Sequence, residues 1–303
     1  MTAQSTPECN SLPNNLVQPN ELDGSKVAWP PMEIPGGYGS VQATHSSALL
    51  GITQPYQEIS PSGQREVARA TTGFSRSFID TMIKNNRDIW DRMVDHQFCL
   101  RMGNGTARLD GFKNYSVNGL FFLRNYVRYT LGLYSKTDDW NILRTEASDA
   151  VAHITHLANL KLQSCIQDLN IPEETIMKTG PNPQIKAYID WINTLIPKED
   201  WFGAPLANTY RSLHVHMAPC VLGYYEIATK LIEDPTTKKD TVFYKLWIEP
   251  NARGPGVVEY VRKFRARLDK VHCMSPRSAD LEHWTHIFRK ACELEISFFD
   301  TCL

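Results

Sequence analysis

MAPCVLGYYEIATK, residues Met217 to Lys230, is the stretch from which the rest of the chain is read. It reads as one helix entering a buried site. Pro219 suits the first turn of a helix, where its missing N–H would be an orphan in any case. Cys220 follows at once, and a thiol at a helix N-terminus sees the positive end of the macrodipole, which favours thiolate. Tyr224, four residues on, shares a helix face with the sulfur. A nucleophile beside a hydrogen-bonding phenol has chemical use. The bland alternative is one more buried, inert thiol, as most free cysteines are.

Working outward, the chain has 303 residues, 42% of them hydrophobic, ample for one large domain or two small ones. Its formal net charge is −1, so no global field recruits nucleic acid or an anionic membrane. No apolar run is long enough to span a bilayer. No basic region followed by an apolar stretch opens the chain, so a cytoplasmic location is expected. The seven cysteines, at positions 9, 99, 165, 220, 273, 292 and 302, show no CxxC spacing and read as free thiols in a reducing compartment.

Residues 1–62 hold eight of the eighteen prolines, with many Ser, Asn, Gln and Gly, and lack helical periodicity. They are expected to form an extended or disordered arm ahead of an all-α domain over 63–303. From Gln64 to about Met102 the pattern turns helical, through Phe78, Ile79, Met82, Ile89, Trp90 and Met93. MGNGTA, 102–107, is a turn. The next helix has Asp110 as its expected N-cap and an aromatic stripe from Phe112 through Tyr115, Phe121, Phe122 and Tyr126 to Tyr129. A helix starting at Asp138 and Asp139 should end at Asn170, Ile171 and Pro172. After a further helix near residue 184 and a turn over 196–205, the Cys220 helix follows, continuous from Leu206. Two more helices, Val257 to about Val271 and Ser278 to the C-terminus, complete a bundle of about seven to nine. No alternating runs bounded by tight turns suggest strands.

Several constellations can be weighed. The glycines of MGNGTA lack phosphate-cradle spacing, and no GxSxG occurs. Glu146, Asp149, His153 and His156 share one helix face, a donor set that suits iron or manganese in a helical bundle. It matches the Glu-x-x-His pattern of such sites only in part, and an ordinary solvated face is the simpler reading; no metal and no cofactor is expected. Near the C-terminus, ELEISFF puts a glutamate close to the core. Burial would raise its pKa and make it a proton shuttle.

Four stretches taken in order resemble one family. DHQFCLRMGNGTARLDGFKNY (95–115), APCVLGYYEIATKL (218–231), FYKLWI (243–248) and RKACELEISFFD (289–300) are similar to the motifs of the TenA / thiaminase II family. The resemblance covers about residues 75–303. It implies a haem-oxygenase-like helical bundle, a small-molecule substrate in its centre, and assembly as a dimer or tetramer. It also implies Cys220 as nucleophile, Glu295 as acid/base, Tyr224 as a partner of the thiol and Tyr188 as a pocket tyrosine.

The departures from the family pattern fall in the same pocket. Where the family has a glutamine–aspartate pair and then a tyrosine, this chain has Asn118, Gly119 and Phe122; a further family tyrosine falls on Asn251. Losing a carboxylate that pairs with ring nitrogens costs several kcal/mol of recognition. Gly119 adds room and Phe122 removes a hydroxyl. The expected function is therefore an enzyme of this fold retuned for a non-standard, specialised-metabolite substrate, retaining C–N cleavage by a cysteine nucleophile. Three alternatives stand beside it: a true thiaminase II or aminopyrimidine aminohydrolase, a metal-dependent oxidase, and a non-catalytic binding protein.

Overall fold

The computed structural model describes residues 77–136, 140–196, 214–273 and 278–303. The N-terminal arm, the start of the helix expected at Asp138 and Asp139, and most of the 196–205 turn lie outside the described residues. Among the described residues every regular element is helical, as the periodicity predicts.

The stretch read as helical up to Met102 forms, within the described residues, three helices, α1 (Phe78–Asn85), α2 (Arg87–Val94) and α3 (Gln97–Gly103), with two breaks between them. Two polar side chains cause the breaks. Asn86, buried, turns its amide back to donate to the Met82 carbonyl at 3.0 Å. His96 leaves the helical region and caps α3, its Nδ1 accepting from the Phe98 N–H at 3.2 Å while Nε2 meets Asp300 at 3.0 Å. The apolar periodicity survives the breaks, and Ile79, Met82, Trp90 and Met93 are all fully buried.

Helix α4 (Leu109–Tyr134) is the long central element. Arg108, not Asp110, holds its N-cap position; Asp110 lies within the first turn, where a negative charge still complements the dipole. Gly111 admits the C-terminal turn: a Cβ there would lie 2.0 Å from the Cys302 carbonyl oxygen. Helix α5 (Ser148–Gln167), entered through a π-helical turn at Ile142–Ala147, packs along α4. Asn170 takes a left-handed φ of 49°, and with Pro172 it ends this arm of the hairpin where expected. The short α6 (Glu173–Lys178) leads to α7 (Pro183–Thr194), which begins as a capped helix should. Asn182 accepts from the Ile185 N–H at 2.8 Å, and Pro183 fills the first turn.

The Cys220 helix departs from its sequence reading. Residues 214–218 are already helical, a π-helical turn spans Pro219–Gly223, and α8 (Tyr224–Glu233) continues. Pro219 is therefore interior. Its missing N–H would leave the carbonyl four residues back without a partner in a regular α-helix, and the π turn absorbs the fault. A second π turn, Tyr244–Ile248, precedes α9 (Glu249–Arg253) and likewise adjoins a proline, Pro250. Then come α10 (Val257–Cys273) and α11 (Ser278–Asp300). Helix α11 lies against α1 and α2, with Phe78 edge-on to Trp284 at 5.3 Å and Trp90 stacked on Phe288 at 5.6 Å. Trp90 also donates to Glu226 of α8 at 3.1 Å, so the glutamate of the GYYE stretch braces the bundle. No described helix is long and apolar enough to cross a membrane.

Candidate active site

Glu295 projects from α11 into the centre of the bundle and is 2% exposed. Two phenols grip it. Tyr188 of α7 donates to one carboxylate oxygen at 3.1 Å and Tyr224 of α8 to the other at 2.8 Å. Burial pushes the carboxyl pKa up to about 7, although both phenols, Tyr224 more than Tyr188, pull it the other way. Such a group changes protonation state near neutrality, as a general acid or base must. All three phenols here, those of Tyr115, Tyr188 and Tyr224, are driven well above the ordinary tyrosine range by burial, so they act as hydrogen-bond donors.

The network extends one layer further. Tyr115 of α4 accepts from the Trp247 indole N–H at 2.8 Å, and its hydroxyl also meets that of Tyr224. Asn251, buried in α9, donates to the Trp247 carbonyl at 2.7 Å. That bond braces the π turn carrying the tryptophan.

Cys220 faces the same centre. It is half-buried by surface area, while Cys99, Cys165, Cys292 and Cys302 are buried. Burial pushes its thiol well above the ordinary range, the charge of Glu295 adds to this, and Lys161 opposes it. The expected thiolate-favouring environment is therefore corrected. The sulfur sits one turn inside the helix, away from the N-terminal dipole, and a partner must take its proton. Glu295 is near enough for its charge to act on the thiol.

The remaining expected residues divide. Phe122 lines the site, 4.8 Å between ring centroids from Tyr188 and 6.0 Å from Tyr126. Gly119 lies between Tyr115 and Phe122 on that face of α4, and a Cβ built on it would meet nothing within 4 Å. Asn118 serves elsewhere. Its amide donates to the Asn114 carbonyl at 3.0 Å and its oxygen accepts from the Asn182 N–H at 2.8 Å, which ties α4 to the loop before α7 at the edge of a surface cleft. Glu146, Asp149 and His156 are exposed and His153 lies against Tyr260. Among the described residues no three His, Cys, Asp or Glu side chains come together to hold a metal ion.

Tyr115, Trp247 and Lys161 belong to the site but were not singled out for it from the sequence. Lys161 was signalled by its place on α5, where Ile154, Leu157, Ala158, Lys161 and Cys165 form the buried face. A lysine on such a face is out of pattern.

Comparison with known proteins follows this geometry. A model of the TENA/THI-4/PQQC family matches residues 83–303. A Schizosaccharomyces pombe protein, provisionally named hydroxymethylpyrimidine/phosphomethylpyrimidine kinase 2, is 26% identical over 70% of this chain, which spans only 36% of that protein. The aminopyrimidine aminohydrolase of Helicobacter pylori is 21% identical over 72% of this chain and 95% of its own length. Among solved structures, a TenA homologue from Pyrococcus furiosus superposes with a TM-score of 0.59 at 19% identity, covering 75% of this chain and 100% of that one. A TenA family protein from Silicibacter superposes with a TM-score of 0.61 at 19% identity, covering 74% and 96%. These structural likenesses bear on the fold. With the family model covering residues 83–303, Glu295 and Cys220 included, the chain belongs to the TENA/THI-4/PQQC family.

Proposed function

We propose that this chain is an enzyme that cleaves a C–N bond in a small molecule of specialised metabolism, with Cys220 as nucleophile and Glu295 as acid and base. The observation carrying this is the carboxyl held between Tyr188 and Tyr224, poised to titrate near neutrality and acting electrostatically on the half-buried Cys220. The similarity to an aminohydrolase over nearly that protein's full length supports a hydrolytic reaction. The kinase-named relative is matched over about a third of its length, so its name carries less weight here.

In the proposed reaction, Glu295 accepts the thiol proton as Sγ forms a bond to the carbon bearing the leaving nitrogen. The C–N bond breaks, and the nitrogen leaves with the proton held on Glu295. Water then attacks the same carbon, giving one proton to Glu295, and the C–S bond breaks. Return of that proton to sulfur restores both groups. The sum is hydrolysis of one C–N bond in two steps, each easier than direct displacement. Tyr188 and Tyr224 hold the carboxyl in place through both.

The open space at Gly119 and the ring of Phe122 favour a larger, more apolar substrate than a simple aminopyrimidine. Purified protein incubated with thiamine, with aminomethylpyrimidine and with larger heteroaryl amines tests this. Turnover of the larger amines that Cys220→Ala abolishes is expected. Turnover that survives Cys220→Ala and Glu295→Gln would remove both residues from the reaction.

A further inference from the structure

Lys161 is the least expected group in the bundle. Its residue is 6% exposed, on the buried face of α5 beside α4. Among the described residues neither a carboxylate nor any other acceptor bonds its ammonium; Nζ lies over the Tyr115 ring, 5.7 Å from its centroid. That ring belongs to the network leading to Glu295, and the charge of Lys161 is felt at Cys220. Nζ is not among the wholly buried unpaired polar atoms, so it borders open space, and an ammonium on so buried a residue, with a ring face as its contact, is kept where something else compensates it. The space over Gly119, one turn along α4 from Tyr115, is open and can admit the compensating group.

We propose that Lys161 is a substrate-binding residue and that the pocket takes a ligand bearing an acidic group, a carboxylate or a phosphate, which pairs with the Lys161 ammonium. The inference deepens the proposed function and rests on its reading of one pocket shared by Cys220 and Glu295. It gives the substrate a polarity: an anionic end at Lys161 and Tyr115, and the reacting carbon toward Cys220. The ring contact favours the charged form of the lysine, although burial holds its pKa below the ordinary range.

Three probes with one ring separate the possibilities: benzoate, phenyl phosphate and the neutral benzamide. Their affinities would be measured by thermal shift at matched ionic strength on the full chain and on Lys161→Met and Cys220→Ala. Lys161→Met keeps the side-chain length and removes a buried charge, so it is expected to fold. The full chain should bind benzoate or phenyl phosphate, whichever acid the pocket fits, and Lys161→Met should lose that affinity by about ten-fold or more, the usual worth of a hydrogen bond to a charged group. Benzamide binding should change little. Cys220→Ala should still bind the acid, so a failure of the nucleophile assignment leaves this result readable. Equal acid affinity in Lys161→Met and the full chain, or binding of benzamide alone, would overturn the proposal.

Discussion

Replacing Glu295 by glutamine should abolish a pH-dependent loss of stability that the natural chain carries. A glutamate titrates near 4.5 when exposed and near 7 in this site, because burial penalises its charge. Below both values the carboxyl is protonated in the folded and unfolded states alike. As the pH rises through 4.5 the unfolded chain releases the proton while the folded protein keeps it, so stability falls. The fall continues until the pH passes about 7 and then levels off. At about 1.4 kcal/mol for each pH unit separating the two values, the total is about 3–3.5 kcal/mol. Glutamine copies the shape of the neutral acid, can still meet Tyr188 and Tyr224, and cannot ionise. Urea unfolding of both proteins at pH 4.5 and pH 8 measures the effect. The two should be nearly equal in stability at pH 4.5, with Glu295→Gln the more stable by about 3–3.5 kcal/mol at pH 8. The comparison cancels contributions from the other buried titrating groups to first order. A difference that stays constant between the two pH values, or a natural chain that gains on the variant as the pH rises, would refute the reasoning that burial dominates at Glu295.

Other substitutions separate packing from chemistry. Gly119→Ala meets no atom in the open space and gains helix propensity, so it should stabilise the protein by roughly 0.5–1 kcal/mol while weakening substrate binding, seen as a rise in KM beside a higher Tm. Asn118→Ala breaks the tie between α4 and the loop before α7 and should cost about 1–3 kcal/mol in denaturant unfolding, with the substrate preference of the enzyme unchanged. Gly111→Ala drives a methyl group into the Cys302 carbonyl, which is backbone and cannot rotate aside; a loss of about 1–3 kcal/mol or more is expected, measured the same way.

The all-α architecture was legible because periodic apolar positions report burial directly, and Phe78, Trp90, Phe112 and Trp284 are all in the core. Helix ends were less so. Asn86 and His96 break an apolar pattern that continues past them, since a single polar side chain can redirect a backbone hydrogen bond without disturbing the stripe. Pro219 looked like a helix start because a π turn, the device that lets a proline sit inside a helix, leaves no mark on composition. At the site, Tyr188 and Tyr224 hydrogen-bond Glu295 and Phe122 packs on Tyr188. Asn118 does not join them: neighbours on a helix point about 100° apart, and its amide finds Asn114 and Asn182 first. Tyr115 read as core because an aromatic stripe hides which hydroxyls find partners. The role of Cys220 changes most. The sequence places it at a positive helix end, whereas burial and the charge of Glu295 raise its pKa, so the proposed nucleophile is coupled to that carboxyl.

That coupling can be measured directly. The rate of Cys220 alkylation by iodoacetamide, followed by mass spectrometry of its peptide across pH 5–10, reports how readily the thiol gives up its proton. In the natural chain the rise in rate should slacken near pH 7, where Glu295 ionises and its charge opposes a thiolate nearby, and in Glu295→Gln that inflection should vanish, leaving one uninterrupted rise toward alkaline pH. Superimposable profiles for the two proteins would contradict the pairing of Cys220 with Glu295.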